Sequence, residues 1–316
     1  MSKIPTYSDI QESAKRIHGF AHKTPVLQSS YFNRLTGAEL FFKCENFQKV
    51  GAFKFRGAFN AISQLSKEGG DKGIITHSSG NHAQAVALAS KINRYKATIV
   101  MPKNAPKVKV NAVQDYGAEI VFCESTIESR QETTDQIISK TGATFIHPYN
   151  NADVITGQGT SAKELLEEIP DLDIIIAPIG GGGLLSGTAI ASKAIKPNIQ
   201  ILGAEPKLAD DAYRSYQAGS IQPVLQTDTI ADGLRTSLGS LTFQIINEKA
   251  DDIITVAEDS IIRDMRRVWE RMKIIIEPSS AVPISALLDG SADIGGKKIG
   301  IILTGGNVDL ENLPWS

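Results

Sequence analysis

From residue 73 to residue 303 the chain alternates short apolar runs with helical patterns, and few architectures accept that rhythm. Runs that read as strands fall at 73–76, 97–101, 119–123, 144–146, 173–179, 199–205 and 298–303. Helical patterns fall at 81–92, 106–116, 126–140, 159–169, 184–194, 260–273 and 279–288. Strands separated by single helices pair in parallel through right-handed crossovers. The expected class is therefore α/β, with two open, mostly parallel twisted sheets flanked by helices. Upstream, Ser8 with Gln11 reads as a capping box for a helix through Phe20, and Thr24-Pro25 ends that segment. Residues 40–44 read as a buried strand and 53–65 as a helix. Residues 67–72, with Gly69-Gly70, read as a loop crossing between lobes, and 219–232 as a looser polar stretch. The division expected is a large domain of 1–65 and 149–316 and a small domain of 66–148 closing over the cleft between them.

Composition narrows the function classes. A formal charge of -2 gives no reason to expect nucleic acid or an anionic membrane as partner. Cys44 and Cys123 are the only cysteines, too few for a disulfide framework, which fits a reducing compartment. Residues 1–7 have no apolar core of a signal peptide, and no apolar run approaches about 18 residues. The cytosol is the expected address, with no regulatory domain expected beyond the last strand.

Chemistry concentrates in a few stretches. Lys54 lies between Phe53 and Phe55, with Gly51 and Gly57 flanking them. An amine against apolar walls is able to lose its proton and act as a nucleophile; the alternative is an ordinary snorkelling lysine. Gly180-Gly181-Gly182-Gly183 stands between a strand and a helix, where backbone amides and the helix dipole converge on an anion. A flexible turn is the plainer reading. No G-x-G-x-x-G occurs, and Thr188-Ala189 stand where a Walker loop needs Lys and Ser/Thr, so a standard nucleotide loop is excluded. Ser78-Ser79-Gly80-Asn81-His82 either caps the following helix or receives a carboxylate, and His82 has no partner at metal-ligand spacing. Thr304-Gly305-Gly306-Asn307 follows the final strand, where open α/β sheets bind ligands. Glu205, the Ala209 carbonyl and Asp211 offer three oxygens to a small hard cation, or are acidic residues at a helix start.

A desolvated lysine, a cradle for one phosphate and a serine loop for a carboxylate point to pyridoxal phosphate with an amino-acid substrate. The stretches Phe53 to Gly57, Ser78 to Gln84, Gly157-Gln158-Gly159-Thr160, Gly180 to Leu184 and Gly305 to Asp309 resemble the fold-type II (tryptophan synthase beta-like) pyridoxal phosphate enzymes. More closely, the chain resembles the serine racemase and serine/threonine dehydratase branch, over nearly its whole length. The resemblance implies that Lys54 carries the cofactor and Phe53 lies against its ring. Asn81 would bond the ring hydroxyl, Gly180, Gly181, Gly182, Gly183 and Leu184 would hold the phosphate, and Thr304 would face the pyridine nitrogen. Ser78, Ser79, Asn81 and His82 would receive the substrate carboxylate. Glu205, Ala209 and Asp211 match a magnesium or manganese site of this branch. Ser29, Ser30, Lys49, Gln84, Tyr116 and Asn307 are compatible with ATP as an effector.

Ser79 separates the activities. Dedicated threonine dehydratases usually carry alanine there, whereas serine racemases and the yeast-type hydroxyaspartate dehydratases carry serine. Racemisation needs a proton taken from one face of the α-carbon and returned to the other, roles for Lys54 and Ser79. The expected activity is serine racemisation with L-serine and L-threonine dehydration, in a homodimer. The alternatives are a threo-3-hydroxyaspartate or threonine dehydratase, with Arg130 meeting a second carboxylate, and a catalytically silent binding homologue. Tyr149-Asn150 departs from the family's usual Pro-Asn-Gln or Pro-Phe-Asp, which leaves side-chain selection open.

Overall fold

Apolar, β-branched runs form the strands of two separate, mostly parallel sheets covered by helices. The computed structural model describes residues 3–105, 107–290 and 293–315. In chain order, α1 (Tyr7–Ile17), β1 (Val26–Gln28), α2 (Ser30–Thr36), β2 (Glu39–Cys44) and α3 (Lys54–Ile62) come first. Then follow α4 (Lys67–Asp71), β3 (Ile74–His77), α5 (Asn81–Ile92), β4 (Ala97–Pro102), α6 (Lys107–Asp115), β5 (Glu119–Cys123), α7 (Ile127–Thr141) and β6 (Thr144–Phe145). The remainder comprises α8 (Ala152–Glu168), β7 (Ile174–Pro178), α9 (Gly183–Ile195), β8 (Gln200–Pro206), α10 (Asp211–Ala218), α11 (Ser240–Lys249), β9 (Asp252–Val256), α12 (Glu258–Met272), α13 (Pro278–Leu288) and β10 (Lys298–Leu303).

The larger sheet has the order β1-β2-β10-β7-β8-β9, parallel throughout except where β1 meets β2. The smaller sheet, β5-β4-β3-β6, is wholly parallel. The last strand, β10, lies inside the larger sheet, and Ile299, Ile301, Ile302 and Leu303 are fully buried there. This central position puts the end of β10 beside the start of α3, where Phe53 N–H donates to Thr304 O at 2.9 Å.

Several elements differ from the sequence reading. Helix α1 is capped by Thr6, whose hydroxyl and N–H pair with Asp9, so the box lies two residues earlier than Ser8–Gln11. The expected loop at 67–72 holds the short helix α4, capped by Ser66, because its Gly70 serves close packing against the Tyr95 ring rather than breaking the chain. Pro106, the expected start of α6, lies outside the described residues. The helix expected at 159–169 begins at Ala152 and runs through both of its glycines. A Cβ on Gly157 would lie 2.6 Å from Gly57 Cα, and one on Gly159 would lie 2.7 Å from Gly187 O. Those glycines let α3, α8 and α9 pack backbone to backbone, which outweighs their poor helix propensity. Elements β1, α2, α11 and β9 were not anticipated; short and polar at their ends, they are held mainly by the sheet or core they join.

Candidate active site

Lys54 opens α3, and its Nζ donates to Pro148 O at 2.9 Å while lying 5.2 Å from the Phe53 ring centroid. Burial pulls its pKa down to about 8, against the opposing charge of Glu277. An appreciable neutral fraction of the amine exists near that pH.

The glycine run sits at the end of β7, and Gly182 takes a left-handed conformation (φ 85°) as the N-cap of α9. The run is crowded from outside: a Cβ on Gly181 would meet the Tyr149 ring at 2.2 Å, and one on Gly180 would lie 3.0 Å from Gly233 O. Larger residues would not fit, and the first amides of α9 have no partner within the helix. The cradle suits one phosphate group.

Neither serine caps α5, so the capping reading of that loop fails. The N-cap is Gly80, whose N–H donates to Ser78 Oγ at 3.2 Å. Ser79 stays in the turn between β3 and α5, two residues before Asn81. Asn81 Nδ2 reaches both oxygens of Glu277, at 2.8 and 3.1 Å, and its Oδ1 accepts from Asn307 Nδ2 at 2.8 Å. Its donors are thus shared with Glu277, leaving one lone pair on Oδ1 to accept a further hydrogen bond. His82 Nε2 lies 3.0 Å from Ile146 O, and its buried Nδ1 has no partner. Burial, with Lys54 adding, holds this imidazole well below its ordinary value, so it is neutral. Thr304 is buried at the end of β10, its hydroxyl 2.9 Å from Ser280 Oγ.

Glu205 and Asp211 are both buried. Glu205 accepts from Ala212 N–H and Tyr213 N–H at 3.1 and 2.9 Å, so it also caps a helix, as the plainer reading of acidic residues there requires. Neither carboxylate oxygen of Asp211 has a hydrogen bond. Burial pushes Glu205 up to about 9 and Asp211 up to about 6. Two buried carboxylates that act on each other, one of them unsatisfied, are the kind of oxygen donors a hard divalent cation takes. Among the described residues no cluster of three His, Cys, Asp or Glu side chains could hold a metal. Of the residues compatible with ATP, Asn307 is engaged with Asn81 and Val50 O, and Lys49 lies over the Phe55 ring.

Two groups escaped the sequence reading. Glu277 follows three isoleucines and stands at the N-cap position of α13 without a side-chain capping bond; burial, with Asp232 adding, pushes it up to about 7. A charge directly after an apolar run was its only signal. Behind Lys54, Arg56 is wholly buried and forks to Glu45 and Glu164 through four bonds of 2.7–2.8 Å, while Lys43 joins Glu164 at 2.6 Å. Burial works against the ionised Glu164, but Arg56 and Lys43 outweigh it and hold its pKa low. Partners so distant in sequence leave no local pattern.

Residues 17–305 match the model of a family described as pyridoxal-phosphate dependent enzyme. The chain is 52% identical over 314 residues to serine racemase of Dictyostelium discoideum, covering 98% of this chain and 96% of that protein. It is 45% identical over 313 residues to beta-hydroxyaspartate dehydratase of Paracoccus denitrificans, covering 99% of each. The solved structure of maize serine racemase superposes with a TM-score of 0.96 at 47% identity, over 98% of this chain and 95% of that one. No described helix is long and apolar enough to cross a membrane. The chain belongs to the family of pyridoxal-phosphate-dependent enzymes.

Proposed function

We propose that this chain is a serine racemase that also eliminates water from L-serine, giving pyruvate and ammonia. The observation that carries the reading is that the two candidate proton carriers lie beside the ends of strands from different sheets, Lys54 at the start of α3 and Ser79 in the turn between β3 and α5. Lys54 stands at the β10 end of the larger sheet and Ser79 at the β3 end of the smaller one, with the Asn81–Glu277 bond joining the two sides. Bound pyridoxal phosphate supplies an electron sink for the bonds of the substrate α-carbon.

This chain's own residues do the rest. Lys54 would hold the cofactor and, as a desolvated amine, exchange a proton on one face of the α-carbon. Ser79 would exchange it on the other. Ser78, Asn81 and His82 would orient the carboxylate. Leu184 and the four glycines would hold the phosphate, with Phe53 against the ring. Thr304, fixed by Ser280, would meet the pyridine nitrogen with a hydroxyl, which cannot keep it protonated as a carboxylate would. That favours prompt loss of the β-hydroxyl. Glu205, Asp211 and the Ala209 carbonyl would take magnesium or manganese. Residues 66–148 would form the small domain that closes over the cleft, in a cytosolic homodimer.

The test measures D-serine and pyruvate from L-serine, with and without magnesium and ATP. Ser79→Ala should abolish D-serine and spare much of the pyruvate; unaltered D-serine formation would refute the assignment of faces.

One observation favours a second reading. Arg130 Nε is shielded from water without a hydrogen bond, and its charge helps lower the pKa of His77, behind burial, one residue before Ser78. A substrate with a second carboxylate, such as threo-3-hydroxyaspartate, would satisfy it. Faster turnover of 3-hydroxyaspartate than of L-serine, lost in Arg130→Met, would put that reading first.

A further inference from the structure

The segment that joins the smaller sheet to α8 turns sharply at residues 147–150, and one imidazole holds the turn. His147 Nδ1 accepts the N–H of Tyr149 at 3.3 Å and the N–H of Asn150 at 2.9 Å. A ring nitrogen that accepts two N–H bonds carries no proton, so the ring is neutral with its proton on Nε2. Edge-on contacts with Phe145 and Tyr149, at centroid distances of 5.7 and 4.6 Å, fix the plane of the ring. Burial, with His77 and Lys54 adding, holds the pKa down to about 4, in keeping with that state.

Three parts of the site hang from this turn. Pro148 O is the acceptor for Lys54 Nζ. The Tyr149 ring lies where a Cβ on Gly181 would stand, and its Cβ closes on Gly183. Asn150 Oδ1 accepts the N–H of Leu241 at 2.9 Å, tying the turn to the start of α11. Two backbone bonds to one side chain thus set where the lysine acceptor and the outer wall of the cradle stand.

We infer that His147 is a positioning residue, a neutral double acceptor that aligns Lys54 and the phosphate cradle through the 147–150 turn. The inference rests on Lys54 being the cofactor lysine. His147 itself need not touch substrate or cofactor.

The experiment uses the geometry of the acceptor. In His147→Asn the amide oxygen is attached to Cγ, as Nδ1 is, and can accept both bonds. In His147→Gln it is one bond further out, and His147→Ala has none. His147→Asn should keep kcat and cofactor affinity within about threefold of the parent, whereas the Gln and Ala variants should lose about tenfold or more in both, the worth of about two net hydrogen bonds. The Gln and Ala variants should also shift the pH profile of kcat/KM, because the environment of the Lys54 amine changes. If Asn is no better than Ala, or Gln is better than Asn as side-chain volume alone would rank them, the proposal is overturned. A second readout does not depend on the variants folding. Nitrogen-15 spectra of the parent holoenzyme should show the Nε2–H tautomer of His147, and a proton on Nδ1 would overturn the proposal. Borohydride reduction and peptide mapping of the parent enzyme should place the cofactor on Lys54. A label elsewhere would overturn the part that concerns Lys54, while the tautomer would still report on the turn.

Discussion

Replacing Arg56 by methionine should cost about 3–5 kcal/mol of stability, the range for removing one partner of a buried ion pair. Methionine fills much of the same space, so the loss is of charge and bonding rather than volume. Four bonds of 2.7–2.8 Å to Glu45 and Glu164 disappear. Glu164 is still served by Lys43, but the fully buried Glu45 keeps only the Thr24 hydroxyl at 2.5 Å. The loss is a large share of the roughly 5–15 kcal/mol that holds a typical domain folded. Urea unfolding followed by circular dichroism should show a lower midpoint with an unchanged slope. Adding Glu45→Gln should recover about 1–3 kcal/mol, since an amide is cheaper to bury than a lone carboxylate. The pH dependence has a definite sign. A stranded buried carboxylate has a folded pKa above its unfolded one, so its penalty grows as pH rises through the unfolded value. The deficit of Arg56→Met should therefore be smaller at about pH 5 than at about pH 8. A loss below about 1 kcal/mol at the higher pH, the worth of an exposed pair, would refute the view that this network is a desolvated support for α3.

Gly181→Ala should weaken cofactor retention on dialysis, because its Cβ would strike the Tyr149 ring at 2.2 Å; adding Tyr149→Ala should restore part of it. In the cofactor-free protein, the pKa of Lys54 at about 8 means that the folded chain bears a charging cost below that pH, which fades as pH rises toward the lysine's ordinary 10.5. Stability should accordingly gain in that window relative to Lys54→Met, and thermal melts over the range would show parallel curves if the amine were solvated. Magnesium should raise the melting temperature of the parent but not of Asp211→Asn, whose buried side chain no longer carries the unsatisfied charge. Gly157→Ala should be destabilised by about 1–3 kcal/mol through forced separation of α3 and α8, read by urea unfolding.

The alternation of apolar runs and helices was enough to specify the class, because parallel strands joined by single helices have few arrangements. Lys54, the four glycines, the serine loop and Thr304 were also legible, since each is a local pattern whose chemistry depends on near neighbours. The order of the strands was not, and neither was the placing of β10 at the centre beside α3, which depends on how whole sheets pack. Gly159 looked like a helix start, yet with Gly157 it marks where three helices touch; only the neighbours' backbones distinguish those cases. Glu277, His147 and the Arg56 network gain their roles from partners that the fold brings together from distant segments. The chain's local chemistry thus singled out the candidate residues for the reaction. Tertiary structure decided which charges they face, because desolvation and hydrogen bonding depend on what surrounds an atom rather than on what precedes it in the chain.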